Sequence, residues 1–227
     1  MAYTKTIVCL ANSRRPGGFC IAGKEVHGDG FGEWIRPVNA QNDDAISPAD
    51  QKLGDGNLLQ LLDVISIPFL EHKPVGHQPE NHLIDSNQSW EKKCVLRKQN
   101  LPKLLDHDVH NIWWIGKSAK KDRVPASRIG EVNGSLLLIR PESLTITAYS
   151  QWNVRAIFRY KQEDYNLKVT DPKAEARYAP AKNVGVAQYQ LTTDSVYLCL
   201  SITAKPFESG QGLSYYKLVA AIIGDTD

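Results

Sequence analysis

Eleven short strand-like runs, at 5–11, 19–25, 33–38, 58–70, 111–115, 135–140, 144–149, 154–160, 166–170, 196–204 and 215–223, divide this chain, and tight turns separate many of them. The clearest run is VRAIFRY. Ala156, Phe158 and Tyr160 fall on one face of it, with Arg155 and Arg159 on the other. That period of two is the pattern of a half-buried strand. Arg15-Pro16-Gly17-Gly18, His27-Gly28-Asp29-Gly30, Gly54-Asp55-Gly56 and Asn133-Gly134 supply turn chemistry, since glycine and asparagine accept the backbone angles that reverse a chain. Asn133-Gly134, between apolar runs, predicts a hairpin.

Helix signals are few. Ser47-Pro48-Ala49-Asp50 and Asn100-Leu101-Pro102 each read as the start of a short helix, and 72–89, with two prolines and a glycine, reads as a long loop. Many short strands with few helices favour small barrels or sandwiches over a parallel α/β sheet. The expectation is a mainly β chain of two consecutive small β domains, barrels or sandwiches. Residues 1–128 form the first, with its long loop and basic segment, and 129–227 form the second.

The net charge of +2 on 227 residues excludes a chain that coats polyanions by bulk charge. Its distribution is uneven: net −5 over residues 1–91, +7 over 92–128 and zero over 129–227. A local excess of that kind points to a polyanionic partner, and its simpler reading is a solvated connector. Cys9, Cys20, Cys94 and Cys199 lack metal-ligand spacing and sit in apolar runs, so they read as buried free thiols of a cytoplasmic protein. No apolar run approaches the roughly 20 residues that span a bilayer, and no signal peptide or membrane partner is expected.

No phosphate loop, dinucleotide-binding turn, nucleophile elbow or zinc-protease motif occurs. His72, His77 and His82 recur every five residues in a proline-rich stretch, and His107 and His110 adjoin Asp106 and Asp108. Such residues more often face solvent or cap local structure than converge on an ion, so no metal or cofactor is assigned. Thr170-Asp171-Pro172 reads as a strand-ending turn rather than a catalytic aspartate.

Three basic groups carry the binding expectation. The first is Arg14 and Arg15 in a glycine-rich turn, with Lys24, Trp34 and Arg36. Guanidinium forks beside backbone N–H groups suit phosphate, and a flat ring stacks a base. The competing reading packs Trp34 in a barrel core and pairs Arg36 with a local acid such as Glu33. The second group is Lys92, Lys93, Arg97 and Lys98 leading to Trp113 and Trp114, then Lys117, Lys120 and Lys121. One of the two tryptophans is expected to be buried and the other available. The third, weaker group is Arg155 and Arg159. Basic residues interleaved with aromatics are the ingredients of a single-strand groove.

NSRRPGGFCIAGKE, EWIRPV, VRAIFRYKQEDYNLKVTDP, YLCLSITAKPF and YYKLVAAII occur in that order. Together these blocks resemble the dual OB-fold domain family over about residues 5 to 224. The resemblance implies two consecutive OB-type barrels in a bacterial protein predicted to bind DNA or RNA, with defence or mobile-element associations and no established catalytic residues. Arg14, Lys24, Trp34, Arg36, Arg155, Asp171 and Lys217 match its blocks. SITAKPFESGQGLSYYK departs from them with a longer polar hairpin. A binding module, not an enzyme, is therefore the first reading. The rivals are a nucleotide sensor or enzyme gripping phosphate with the Arg14/Arg15 turn, and an adaptor for a protein encoded nearby.

Overall fold

The computed structural model describes residues 2–28, 30–107, 111–113, 121–181, 185–210 and 212–224. They form two compact units, Met1–Leu104 and Leu105–Asp227.

In the first unit β1 (Tyr3–Arg15), β2 (Gly18–His27) and β3 (Gly30–Val38) are an antiparallel meander, and β4 (Asp63–His72), β5 (Asn81–Ile84) and β6 (Glu91–Val95) complete the sheet. β5 runs parallel to β3 and antiparallel to β4, while β4 returns to β1. The sheet thus closes in the order 1-2-3-5-4-1, the OB-type barrel expected from the sequence. β1 serves both neighbours because it is long and bulged: 3–8 pair with β4 and 7–15 with β2. Gly18 sits at φ +149, and a Cβ there would collide with the Ile46 carbonyl oxygen, so the β1–β2 turn requires glycine. Ile7, Ile21, Ile35, Ile65, Ile67 and Trp90 fill the interior.

The second unit repeats this plan with its first strand broken. β8 (Leu136–Ile139) pairs with β13 (Tyr197–Ile202), and β9 (Ser143–Ser150) pairs with β10 (Asn153–Tyr160). Pro141 lies between β8 and β9, where its missing N–H and fixed φ interrupt the ladder. β10 continues to β11 (Glu163–Val169), which runs parallel to β15 (Gly212–Ile223), and β15 pairs with β13. β12 (Ala187–Leu191) adds to β9, while β7 (Arg123–Pro125) and β14 (Phe207–Ser209) add to β15. Val154, Ala156, Phe158 and Tyr160 are buried as the alternation requires, with Phe158 stacked on Tyr165 at 5.3 Å.

Helix α1 (Pro172–Tyr178) follows β11. The Asp171 side chain caps it, with Oδ1 accepting from the backbone N–H of Lys173 (2.9 Å) and Ala174 (3.3 Å). Oδ2 accepts from Ile222 N–H at 3.2 Å and ties the cap to β15. Burial raises the Asp171 carboxyl above its ordinary value despite these donors.

Several sequence expectations change. The stretch 72–89 is not a continuous loop, because it contains β5, whose pairing to β3 and β4 is long-range. Asn133-Gly134 follows a 3₁₀ helix (Ala126–Glu131), and β7 and β8 pair with different strands, so no hairpin forms there. Ser47 and Asp50 exchange the expected capping bonds, 2.9 and 3.1 Å, around a turn rather than a helix. Residues 111–113 are not a strand. Cys9 and Cys199 are buried but Cys94 is exposed on β6. The division between units falls after Leu104 rather than near 128, because β7 pairs with the last strand of the second unit.

Candidate nucleic-acid interface

The OB barrel presents ligands on the outer face of its second and third strands and on the adjoining loops. In the first unit that face is β2–β3, and it is largely closed. Lys24 is only 8% exposed, and its ammonium lies over the Trp34 ring at 5.4 Å from the centroid. Arg36 is buried and ion-paired with the equally buried Glu80 at 3.3 Å. Trp34 and Arg36 therefore do not form an outward stacking pair. Arg36 meets an acid, as the competing reading held, but the acid is Glu80 rather than Glu33. In the β1–β2 turn Arg14 is exposed, while Arg15 donates from Nη2 to the Asp43 carbonyl at 2.9 Å and from Nη1 to that of Asp44 at 3.4 Å.

The +7 stretch is divided between the two units. Residues 92–104 belong to the first unit and 105–128 to the second. Carboxylates compensate most of its described cations: Lys92 with Asp63 and Lys93 with Glu91 (both 2.6 Å), Lys121 with Glu163 (2.5 Å), Arg123 with Asp122 (2.9 Å) and Arg128 with Glu131 (2.7 Å). Arg97 and Lys98 are exposed. Trp113 is half-buried between two apolar clusters, and its indole N–H donates to the Gly134 carbonyl at 2.9 Å. Trp114, Lys117 and Lys120 lie outside the described residues.

In the second unit the equivalent face, β10–β11, is open. Gln188, Thr147, Arg155 and Lys168 make one cross-strand row, and Gln190, Thr145, Ile157 and Asn166 make the next. Arg155 and Lys168 are directly opposite one another. Among the described residues Arg155 donates only to Asn166, from Nε to Oδ1 at 2.5 Å and from Nη2 to the carbonyl at 2.7 Å. Those bonded partners are neutral, and the Asp122 carboxylate lies within electrostatic reach of Arg155. Arg159, at the far end of the face, is held by Asp164 (3.4 Å) and Glu142 (3.7 Å). Tyr149 stands at 47% exposure at the end of β9, and Trp152, in the β9–β10 turn, at 55%. Phe207, 52% exposed, lies in the β13–β15 connection, which is the other loop an OB barrel uses.

The family model for the Dual OB-containing domain matches residues 5–222. The chain belongs to this dual OB family. No curated protein matches the sequence. Among solved structures, it is similar to the Ifi202 HINa domain in complex with 20bp dsDNA, at 9% identity and a TM-score of 0.32 over 99% of each chain. It is also similar to a murine DNA binding protein bound with ds DNA, at 8% identity and a TM-score of 0.26 over 97% of this chain and 100% of that one.

Besides Lys24 and Arg36, two further positions of the dual OB blocks are interior. Asp171 caps α1, and Lys217 donates from Nζ to the Ile112 carbonyl at 2.8 Å, with burial lowering its pKa to about 8. Sequence reasoning missed Tyr149, Trp152 and Lys168. For Lys168 a signal existed, since Asn166 and Lys168 alternate with the apolar Tyr165, Leu167 and Val169. Among the described residues no three His, Cys, Asp or Glu side chains are grouped to hold a metal, and no helix is long and apolar enough to cross a membrane.

Proposed function

We propose that this dual OB protein binds nucleic acid on the outer face of β10–β11 in its second barrel, with unpaired bases as the preferred target. One observation carries the reading. Arg155 and Lys168 oppose each other across two strands with no bonded carboxylate among the described residues, beside the exposed rings of Tyr149 and Trp152. Like charges directly opposite on a sheet are unfavourable, and a phosphate between them removes the repulsion. Rings at the same end supply the stacking that single-strand binders use. The closed face of the first barrel, with Lys24 and Arg36 buried, gives that barrel a supporting part, in which Arg14, Arg97 and Lys98 contribute exposed charge.

Fluorescence anisotropy with a short labelled oligonucleotide, single-stranded and as the duplex of the same sequence, tests this. Expected is tighter single-strand binding whose log affinity falls linearly with log salt. Absence of binding at low salt, or binding unchanged in Arg155→Ala/Lys168→Ala, overturns it.

A further inference from the structure

Strand β12 pairs only with β9 among the described residues and ends the sheet of the second barrel. An edge strand offers a row of unpaired N–H and C=O groups, and chains usually guard such edges with charge. The first barrel does so. Its own outlying strand, β6, reads EKKCV, with Lys92 and Lys93 on it. β12 reads AQYQL, and no charged residue occurs from 185 to 193. The edge is also held firmly. Tyr189 is half-buried against Tyr178 of α1, ring centroids 5.1 Å apart, and Gln190 Oε1 accepts from the Thr145 hydroxyl at 2.6 Å.

We propose that β12 is a pairing edge through which two copies of this chain associate, antiparallel and centred on Tyr189. The occupant follows from the sequence of the edge, which complements itself. Pairing about Tyr189 sets Ala187 opposite Leu191 of the second copy and Gln188 opposite Gln190, while the two Tyr189 face each other. Apolar residues then meet apolar ones, amide meets amide, and no like charges are opposed. A charged peptide would find no ionic partner there. The symmetry is that of a two-fold, self-complementary interface. Five residues make a short ladder, so the association is weak and concentration-dependent. The sheet β11-β10-β9-β12 would continue into the second copy, placing the two β10 strands about 24 Å apart at the usual strand spacing. The pairing does not depend on nucleic acid binding.

Sedimentation velocity of the full chain over a concentration series, without nucleic acid, tests the proposal. Wild type is expected to shift from monomer to dimer as concentration rises. Gln188→Lys/Gln190→Lys and Gln188→Glu/Gln190→Glu each place like charges opposite one another and should remain monomeric. An equimolar mixture of the two should dimerise again. Hydrogen exchange of the unmodified protein gives a second readout, with β12 amides slowing as concentration rises. A wild type that stays monomeric into the high micromolar range, or charge variants that dimerise like wild type, would overturn the proposal. So would β12 amides whose exchange ignores concentration.

Discussion

Arg36 and Glu80 are 3.3 Å apart with 3% and 4% of their side chains exposed, and the Arg36 backbone N–H also donates to the Glu80 carbonyl at 2.7 Å. Removing one member strands a buried charge, which costs about 3–5 kcal/mol. Arg36→Ala is therefore expected to lower the urea midpoint sharply, and Arg36→Met/Glu80→Leu is expected to recover much of that loss. A binding residue would behave otherwise, losing oligonucleotide affinity at unchanged stability.

Arg155 and Lys168 should show that second behaviour. Each is on an outward strand position, so alanine there is expected to change stability by less than about 0.5 kcal/mol. Binding should weaken across all sequences, and the slope of log affinity against log salt should shrink by about 0.7 per lost phosphate contact on a single strand. Anisotropy titrations at several salt concentrations measure both effects.

For Trp152→Ala and Tyr149→Ala the expected loss is about 1–3 kcal/mol of single-strand affinity per stacked base, with little change in salt slope. Loss of Trp152 should also remove most of any fluorescence quenching seen on adding oligonucleotide. Equal loss for single strand and duplex would show that the rings do not stack bases.

His82 gives a pH signature. Burial, aided by His72 and Lys5, lowers its pKa from 6.5 to about 4, and its Nδ1 shares a 2.5 Å hydrogen bond with the Tyr3 hydroxyl. The unfolded chain therefore takes up a proton at higher pH than the folded one. The contribution of the neutral ring is complete above about pH 6.5 and is lost as pH falls towards about 4. Urea midpoints at about pH 7.5 and about pH 5 should differ in wild type, and His82→Asn should reduce that difference.

Asp171→Ala removes the α1 cap and leaves the buried Ile222 N–H without its acceptor. A stability loss of about 2–4 kcal/mol is expected from the two effects together. Asp171→Asn, which keeps an acceptor oxygen, should lose less. Thermal unfolding of the two variants against wild type decides it.

Much of the fold was legible because period-two alternation reports burial directly. Ten of the eleven expected runs overlap a strand, and in the eleventh, 111–115, the described residues 111–113 form none. Strands without that pattern escaped notice. β5 joins the sheet through partners more than forty residues away in β3, while β6 is mostly exposed and carries charge. The site was legible in part. Arg155 stood out because it alternates with buried residues, whereas Trp152 sits in a turn, where no periodicity marks a functional ring.

The sequence by itself determined the mainly β class, the two-barrel plan and the family, since alternation, turn chemistry and ordered blocks are local properties of the chain. Only the tertiary structure decided which cations are available. The +7 stretch meets carboxylates from elsewhere in the chain, Asp63 and Glu163 among them, and Arg36 turns inward to Glu80. The strand register sets Arg155 and Lys168 opposite each other and gives Arg155 a neutral amide as its bonded partner. Charge on a surface depends on which side chains come within a few ångströms of one another, and long-range pairing sets those distances.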